Sequence, residues 1–265
     1  MTMKTRTITA IIALVIFIPF LLIGGGYFEA LVVLLGIVSL SELLKMMNVP
    51  LFSFEGLVTQ LMMLVVLLPD RVLSFVPHSL TVMDLFYAGI IFLFIAMVYF
   101  PEQMDFKRLC ALAVSAVYVG IGYHYMIMTR RLGLFAVIFA FGIIWFNDSF
   151  AYLAGVHFGR HKLAPKISPN KTIEGSIGGI LAGIIYSLCL NFFDGSLNLP
   201  LLSVVILAIA LCLLGQFGDL IESAIKRYFK VKDSGKILPG HGGLLDRFDS
   251  LLIVLPMFHY LVAFL

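Results

Sequence analysis

The chain reads as an all-α, polytopic integral membrane protein with about nine transmembrane helices. Three observations carry this reading. Of its 265 residues 61% are hydrophobic and only 12% charged, about half the charged share of an ordinary soluble domain. The mean hydropathy is +1.07. Apolar runs matching the roughly 20 residues needed to cross a bilayer recur along nearly the whole chain, bounded by charges or by Gly and Pro.

Taken in order, the expected spans lie near 8–23, 27–44, 53–69, 83–100, 109–127, 133–154, 176–193, 200–227 and 248–265. The first follows Lys4 and Arg6, a pattern shared with signal peptides. A retained helix is expected instead, because eight further spans already commit the chain to the membrane. Gly24, Gly25 and Gly26 separate it from the second span, and a re-entrant pair around these glycines is the alternative. With a cytoplasmic N-terminus, all of the 18 Lys and Arg residues except Arg71, Arg130 and Arg131 fall on one side. That bias fixes the orientation, agrees with an odd number of spans and puts the C-terminus outside. The spans leave no soluble domain, so a site has to be assembled from helix ends and loops.

The chain divides by character into apolar transmembrane helices over 1–140 and a polar-rich catalytic part over 141–265. In the first part Glu29, Glu42 and Asp84 fall near span ends, where a solvated headgroup position is expected. Tyr99, Tyr123 and Arg130 read as interface anchors. Cys110, Cys189 and Cys212 lie in apolar runs with no Cys-x-x-Cys spacing, so they read as small buried apolar residues. No internal repeat of the kind that transporters carry is visible.

The second part holds three polar constellations, all next to the expected cytoplasmic face. The first begins with Asn147 and Asp148 inside the sixth span, where an acid usually faces a wet cavity or a partner. A loop with Arg160, Lys162, Lys166 and Lys171 follows, and the seventh span is expected to open at Ser168-Pro169-Asn170-Lys171-Thr172. Lysine and hydroxyl groups at a helix start can hold phosphate oxygens. Simple contact with anionic headgroups would explain the charges there, but not Asn147 and Asp148. No Walker A pattern is present.

The second constellation ends the eighth span, where Asp219, Glu222, Ser223, Lys226 and Lys230 recur at spacings of three and four and so share a helix face. Helical i,i+4 ion pairing accounts for Glu222 and Lys230. It accounts less well for Asp219, which has Gly215 and Gly218 nearby and no cation within the span. The third constellation is "ILPGHGGLLDRFDS", Ile237–Ser250. Its glycines allow backbone N–H groups to converge on an anion. Asp246 and Asp249, three apart, suit a hard divalent cation held together with substrate phosphates. Compensation of a helix dipole is the bland alternative for this acidic pair. His241 is ambiguous between a loop hydrogen bond and a phosphate contact.

Together, Ser223-x-x-Lys226-Arg227, Lys232-Asp233 and His241-Gly-Gly-x-x-Asp246-Arg247-x-Asp249 resemble the signature of the phosphatidate cytidylyltransferases, also called CDP-diacylglycerol synthases. "HKLAPKISPNKTIEGSIGG" upstream is similar to another segment of that family. The resemblance is carried by the C-terminal 120 or so residues. It implies a Mg2+-dependent enzyme, with room for a second cation, that joins CTP to phosphatidic acid and releases pyrophosphate. Under it Asp219, Asp246 and Asp249 would bind metal. Lys171, Lys226, Arg227 and Arg247 would hold phosphates, with Ser223 and His241 as secondary contacts, and Asn147 and Asp148 would line the same cavity. The expected setting is the inner, cytoplasmic membrane with the site facing the cytoplasm. The partners are the two substrates and the lipid bilayer, with a homo-oligomer allowed and no nucleic acid.

Two rivals remain open at this level. A CTP-dependent polyprenol or phytol kinase would transfer the γ-phosphate instead. A transporter with an Asp/Lys relay would string polar residues across the full membrane depth, whereas here they crowd at one face.

Overall fold

The computed structural model of the chain describes residues 3–69, 71–72, 77, 79–193 and 199–264. The side chains of Lys4 and Arg6 lie outside the described ones, as does Leu265 at the end of the ninth expected span. Among the described residues nine helices form: α1 Met3–Ile23, α2 Gly25–Met46, α3 Phe54–Leu67, α4 Val82–Tyr99, α5 Phe106–Leu132, α6 Leu134–Phe158, α7 Ile173–Phe193, α8 Leu201–Tyr228 and α9 Leu245–Phe264. Each coincides with an expected apolar run. Seven are long and apolar enough to cross a membrane, while Thr7–Ile23 and Phe54–Leu67 are shorter apolar helices.

Local chemistry explains several ends. Ser53 Oγ accepts from Gly56 N at 3.2 Å to start α3. Thr81 and Asp84 form a reciprocal capping box at the start of α4, so exposed Asp84 serves a solvated helix end as expected. At Gly133, φ is +133°, a backbone that a side chain would strain, and this lets α6 follow α5 after a single residue.

The chain forms two compact units: Met1–Ile127 with Asp233–Asp246, and Met128–Lys232 with Arg247–Leu265. In the first unit α2 packs on α1 and α3, and α3 on α4. Its core includes Phe28, Leu40, Leu44, Met63 and Tyr123. Tyr123 is therefore no interface anchor. It is fully buried, and its hydroxyl lies 2.8 Å from Ser39 Oγ. Glu29 and Glu42 are also buried rather than solvated. Each has found donors that offset the cost of removing a carboxylate from water: Arg71 for Glu29, and the 233–246 segment for Glu42.

In the second unit α7 packs closely on α6 and on α8. The unit also contains a small hairpin that a helix-only reading does not anticipate. Strand β1, Lys162–Ala164, pairs antiparallel with β2, Ser168–Thr172, placing Lys162 opposite Thr172 and Ala164 opposite Ser168. Residues 168–172 thus do not open the seventh helix. Pro169 biases the residue before it towards extended backbone, and α7 starts only at Ile173, where Thr172 Oγ1 accepts from Gly175 N at 3.1 Å. Of the cysteines, only Cys212 is buried, while Cys189 is exposed on an apolar helix surface of the kind that lipid covers.

Candidate active site

The second unit gathers polar groups from α6, β2, α7, α8 and α9. Asn147 is fully buried on α6 and donates from Nδ2 to Asp148 Oδ1 at 3.0 Å. Its own Oδ1 accepts from Gln216 Nε2 on α8 at 2.9 Å. Gln216 also donates to the Ser176 carbonyl at 3.2 Å and accepts from Ser176 Oγ. A buried amide must find such partners or forfeit its hydration, so this network ties α6, α7 and α8 together.

Lys171, on β2, places Nζ 2.6 Å from Asp219 Oδ2 and 3.4 Å from the Gln216 carbonyl. Asp219 therefore does have a cation beside it. That cation comes from the hairpin rather than from its own helix, which spacing along α8 cannot reveal. Ser223 Oγ donates to Asp219 Oδ1 at 3.2 Å. One turn further on, fully buried Glu222 pairs with Lys226 at 2.9 Å.

Asp249, on the first turns of α9, accepts from Ser250 N at 2.7 Å and lies within electrostatic range of Asp219 and Lys226. Asp148 in turn lies within electrostatic range of Asp219, Asp249 and Lys171. The α8–α9 approach that allows this depends on Gly218. A Cβ there would sit 2.8 Å from Ser250 Cα and 2.9 Å from the Asp249 carbonyl oxygen, so backbone meets backbone beside Asp219.

The remaining candidates are placed differently. Arg227 donates to the carbonyls of Ile167 at 3.3 Å and Val231 at 3.5 Å, bracing the hairpin turn and the end of α8. Arg247 is exposed on α9. His241 donates its backbone N–H to the Leu238 carbonyl at 2.9 Å within a tight turn. Asp246 belongs to the first unit with the rest of the glycine-rich segment. Its Oδ2 accepts from Gly243 N at 2.7 Å and from Ser234 N at 3.0 Å.

Sequence reasoning missed Ser176, Gln216 and Ser234, read Glu42 as a solvated acid, and accounted for Glu222 only as a helical i,i+4 ion pair, which the structure forms with Lys226. Gln216 carried a signal, as an amide inside an apolar helix. Glu42 carried none, because its partners lie some two hundred residues away.

The donor chemistry fits a hard cation, since Asp148, Asp219 and Asp249 offer only oxygen ligands. Among the described residues no three His, Cys, Asp or Glu side chains form a ready cage.

Fold and site together define a polytopic α-helical membrane protein whose acid–lysine cluster is suited to a cation and to phosphate groups. The chain belongs to the cytidylyltransferase family, whose profile matches residues 4–265. It is 44% identical to the phosphatidate cytidylyltransferase of Staphylococcus haemolyticus over 261 residues, covering 98% of this chain and 99% of that relative. The Staphylococcus saprophyticus protein of the same name is 43% identical over 260 residues, with the same coverage. That of Staphylococcus aureus strain COL is 42% identical over 275 residues, again with the same coverage. The chain is accordingly an enzyme, a nucleotidyltransferase.

Proposed function

We propose that the chain transfers the cytidylyl group of CTP to phosphatidic acid, giving CDP-diacylglycerol and pyrophosphate. The observation that carries this reading is its 44% identity, over essentially its whole length, to a phosphatidate cytidylyltransferase. The composition of the site supports it. Both substrates are polyanions and one is anchored in the bilayer, so lysines and cation-binding acids at the ends of membrane helices match them.

In this reading a phosphate oxygen of phosphatidic acid forms a bond to the α-phosphorus of CTP. The bond from that phosphorus to the α,β-bridging oxygen breaks, and its electron pair leaves with pyrophosphate. The lipid phosphate is itself the nucleophile, so no side chain needs to form a covalent intermediate. Lys171, Lys226, Arg227 and Arg247 hold phosphates, with Ser223 and His241 as secondary contacts, and Asn147 and Asp148 line the nucleotide side.

Asp219, Asp246 and Asp249 are the metal-binding residues of this proposal. Bound Mg2+ would screen the triphosphate and stabilise charge on the departing pyrophosphate. Before substrate arrives, Lys171 keeps the Asp219 carboxylate compensated. The Lys/Arg distribution supports a site on the cytoplasmic face, and the bacterial relatives support the cytoplasmic membrane as its setting.

The test is purified protein with phosphatidic acid, Mg2+ and CTP labelled either in the cytidine or at the γ-phosphate. Cytidine label should enter the lipid fraction and γ-label should appear in pyrophosphate. Label entering lipid only from the γ-position would replace this reading with a lipid kinase.

A further inference from the structure

The glycines of the 233–246 segment free its N–H groups to meet an anion. In the first unit several of those groups already serve two carboxylates of the chain itself. Glu42, on α2, is 3% exposed. It accepts from Leu244 N at 3.0 Å through Oε1 and from Leu245 N at 2.9 Å through Oε2. Ser234 Oγ stands 3.1 Å from Glu42 Oε2 and 3.0 Å from Asp246 Oδ2, so its single proton is shared between the two acids. Space around Glu42 is closed as tightly. A Cβ on Gly235 would lie 2.2 Å from Glu42 Oε1, and one on Gly243 would lie 2.5 Å from Oε2 and 2.0 Å from Ser234 Oγ. These glycines are needed because a carboxylate fills the loop.

Leu245 begins α9 and Leu244 directly precedes it, and the first N–H groups of a helix have no partner within it. An ionised carboxylate there gains both charge-assisted hydrogen bonds and the favourable end of the helix dipole. Glu42 thus caps α9 from a different helix. The first turn of α9 carries Asp246, so whatever fixes the start of α9 fixes the direction in which that side chain projects.

We infer that Glu42 is a positioning residue for the cytidylyl-transfer reaction: it clamps the 233–246 segment and the N-terminus of α9, and thereby sets the presentation of Asp246. The inference rests on the proposed function for its catalytic consequence. The clamp itself is a property of the fold.

The experiment uses the full-length protein in detergent and compares wild type with Glu42→Gln, Glu42→Asp and Ser234→Ala. Amide exchange is read without substrate or metal, and kcat, KM and the Mg2+ concentration for half-maximal rate are read with them. In Glu42→Gln one N–H donor faces an amide NH2 and the charge is gone. Exchange at Gly243–Leu245 should then accelerate about tenfold. kcat should fall about 10- to 100-fold with a raised Mg2+ requirement, as when a group supporting a metal ligand is lost, while KM for phosphatidic acid stays unchanged. Glu42→Asp should recover part of kcat. Folded Glu42→Gln with wild-type kcat and Mg2+ dependence would show a merely structural acid and overturn the inference.

Should Glu42→Gln not be recoverable from the membrane, Ser234→Ala removes only the shared hydroxyl. It should show the same pattern at smaller amplitude, and wild-type exchange together with wild-type kcat would overturn the inference equally. A wild-type protein that makes no CDP-lipid would instead refute the proposed function, and the exchange measurement would still test the clamp by itself.

Discussion

Lys171 Nζ lies 2.6 Å from Asp219 Oδ2, joining the β1–β2 hairpin to α8 at the centre of the acidic cluster. Neither partner is deeply buried, so the pair contributes little to stability. Its significance lies in where it holds a positive charge: beside the acid proposed to bind metal.

Asp219→Asn should therefore fold with a melting temperature close to wild type and lose at least about 100-fold in kcat, as expected when a ligand to the charge-stabilising cation is removed. EDTA should abolish wild-type turnover and Mg2+ restore it. Pyrophosphate release and thermal melting in detergent check both, and wild-type turnover in Asp219→Asn would refute the metal assignment.

Gln216→Leu should destabilise the second unit by about 1–3 kcal/mol, because Asn147 Oδ1 loses its donor in a buried position. Thermal melting reads this directly. An unchanged melting temperature would mean that the Asn147–Gln216–Ser176 network is not holding α6, α7 and α8 together.

Glu222→Ala should be among the more damaging single substitutions, costing about 3–5 kcal/mol by stranding Lys226 without its buried partner. Glu222→Gln, which keeps the shape and one acceptor, should cost less. A wild-type melting temperature for Glu222→Gln, which removes the charge and keeps the shape, would argue against a charge-based role.

Gly218→Ala should lower stability by about 1–3 kcal/mol and reduce activity, since its Cβ would force α8 away from the α9 backbone at Asp249 and Ser250. Gly26→Ala is the matched control. Nothing lies within 4 Å of a Cβ there, and alanine is the better helix former by about 1 kcal/mol, so its melting temperature should hold or rise.

Much of this protein is legible locally. Each expected apolar run contains a helix because run length and hydropathy are what a bilayer selects, and neighbours along the chain suffice to compute them. The chemistry of the signature is legible too, since three- and four-residue spacings put Asp219, Ser223 and Lys226 on one face of α8. Local reading fails where a side chain's partner comes from elsewhere. Tyr123 and Glu42 look like interface residues until Ser39 and the 233–246 segment meet them. Residues 168–172 look like a helix start until they pair with Lys162–Ala164.

Sequence alone therefore determined a many-helix membrane protein with an acid- and lysine-rich C-terminal part, because span length, helix phase and residue chemistry are short-range properties. The tertiary structure decided which cation faces Asp219, which amide satisfies Asn147 and which carboxylates occupy the glycine-rich segment. Each of those pairings is set by packing between elements distant in the chain, where the cost of leaving a buried polar group alone selects the partner.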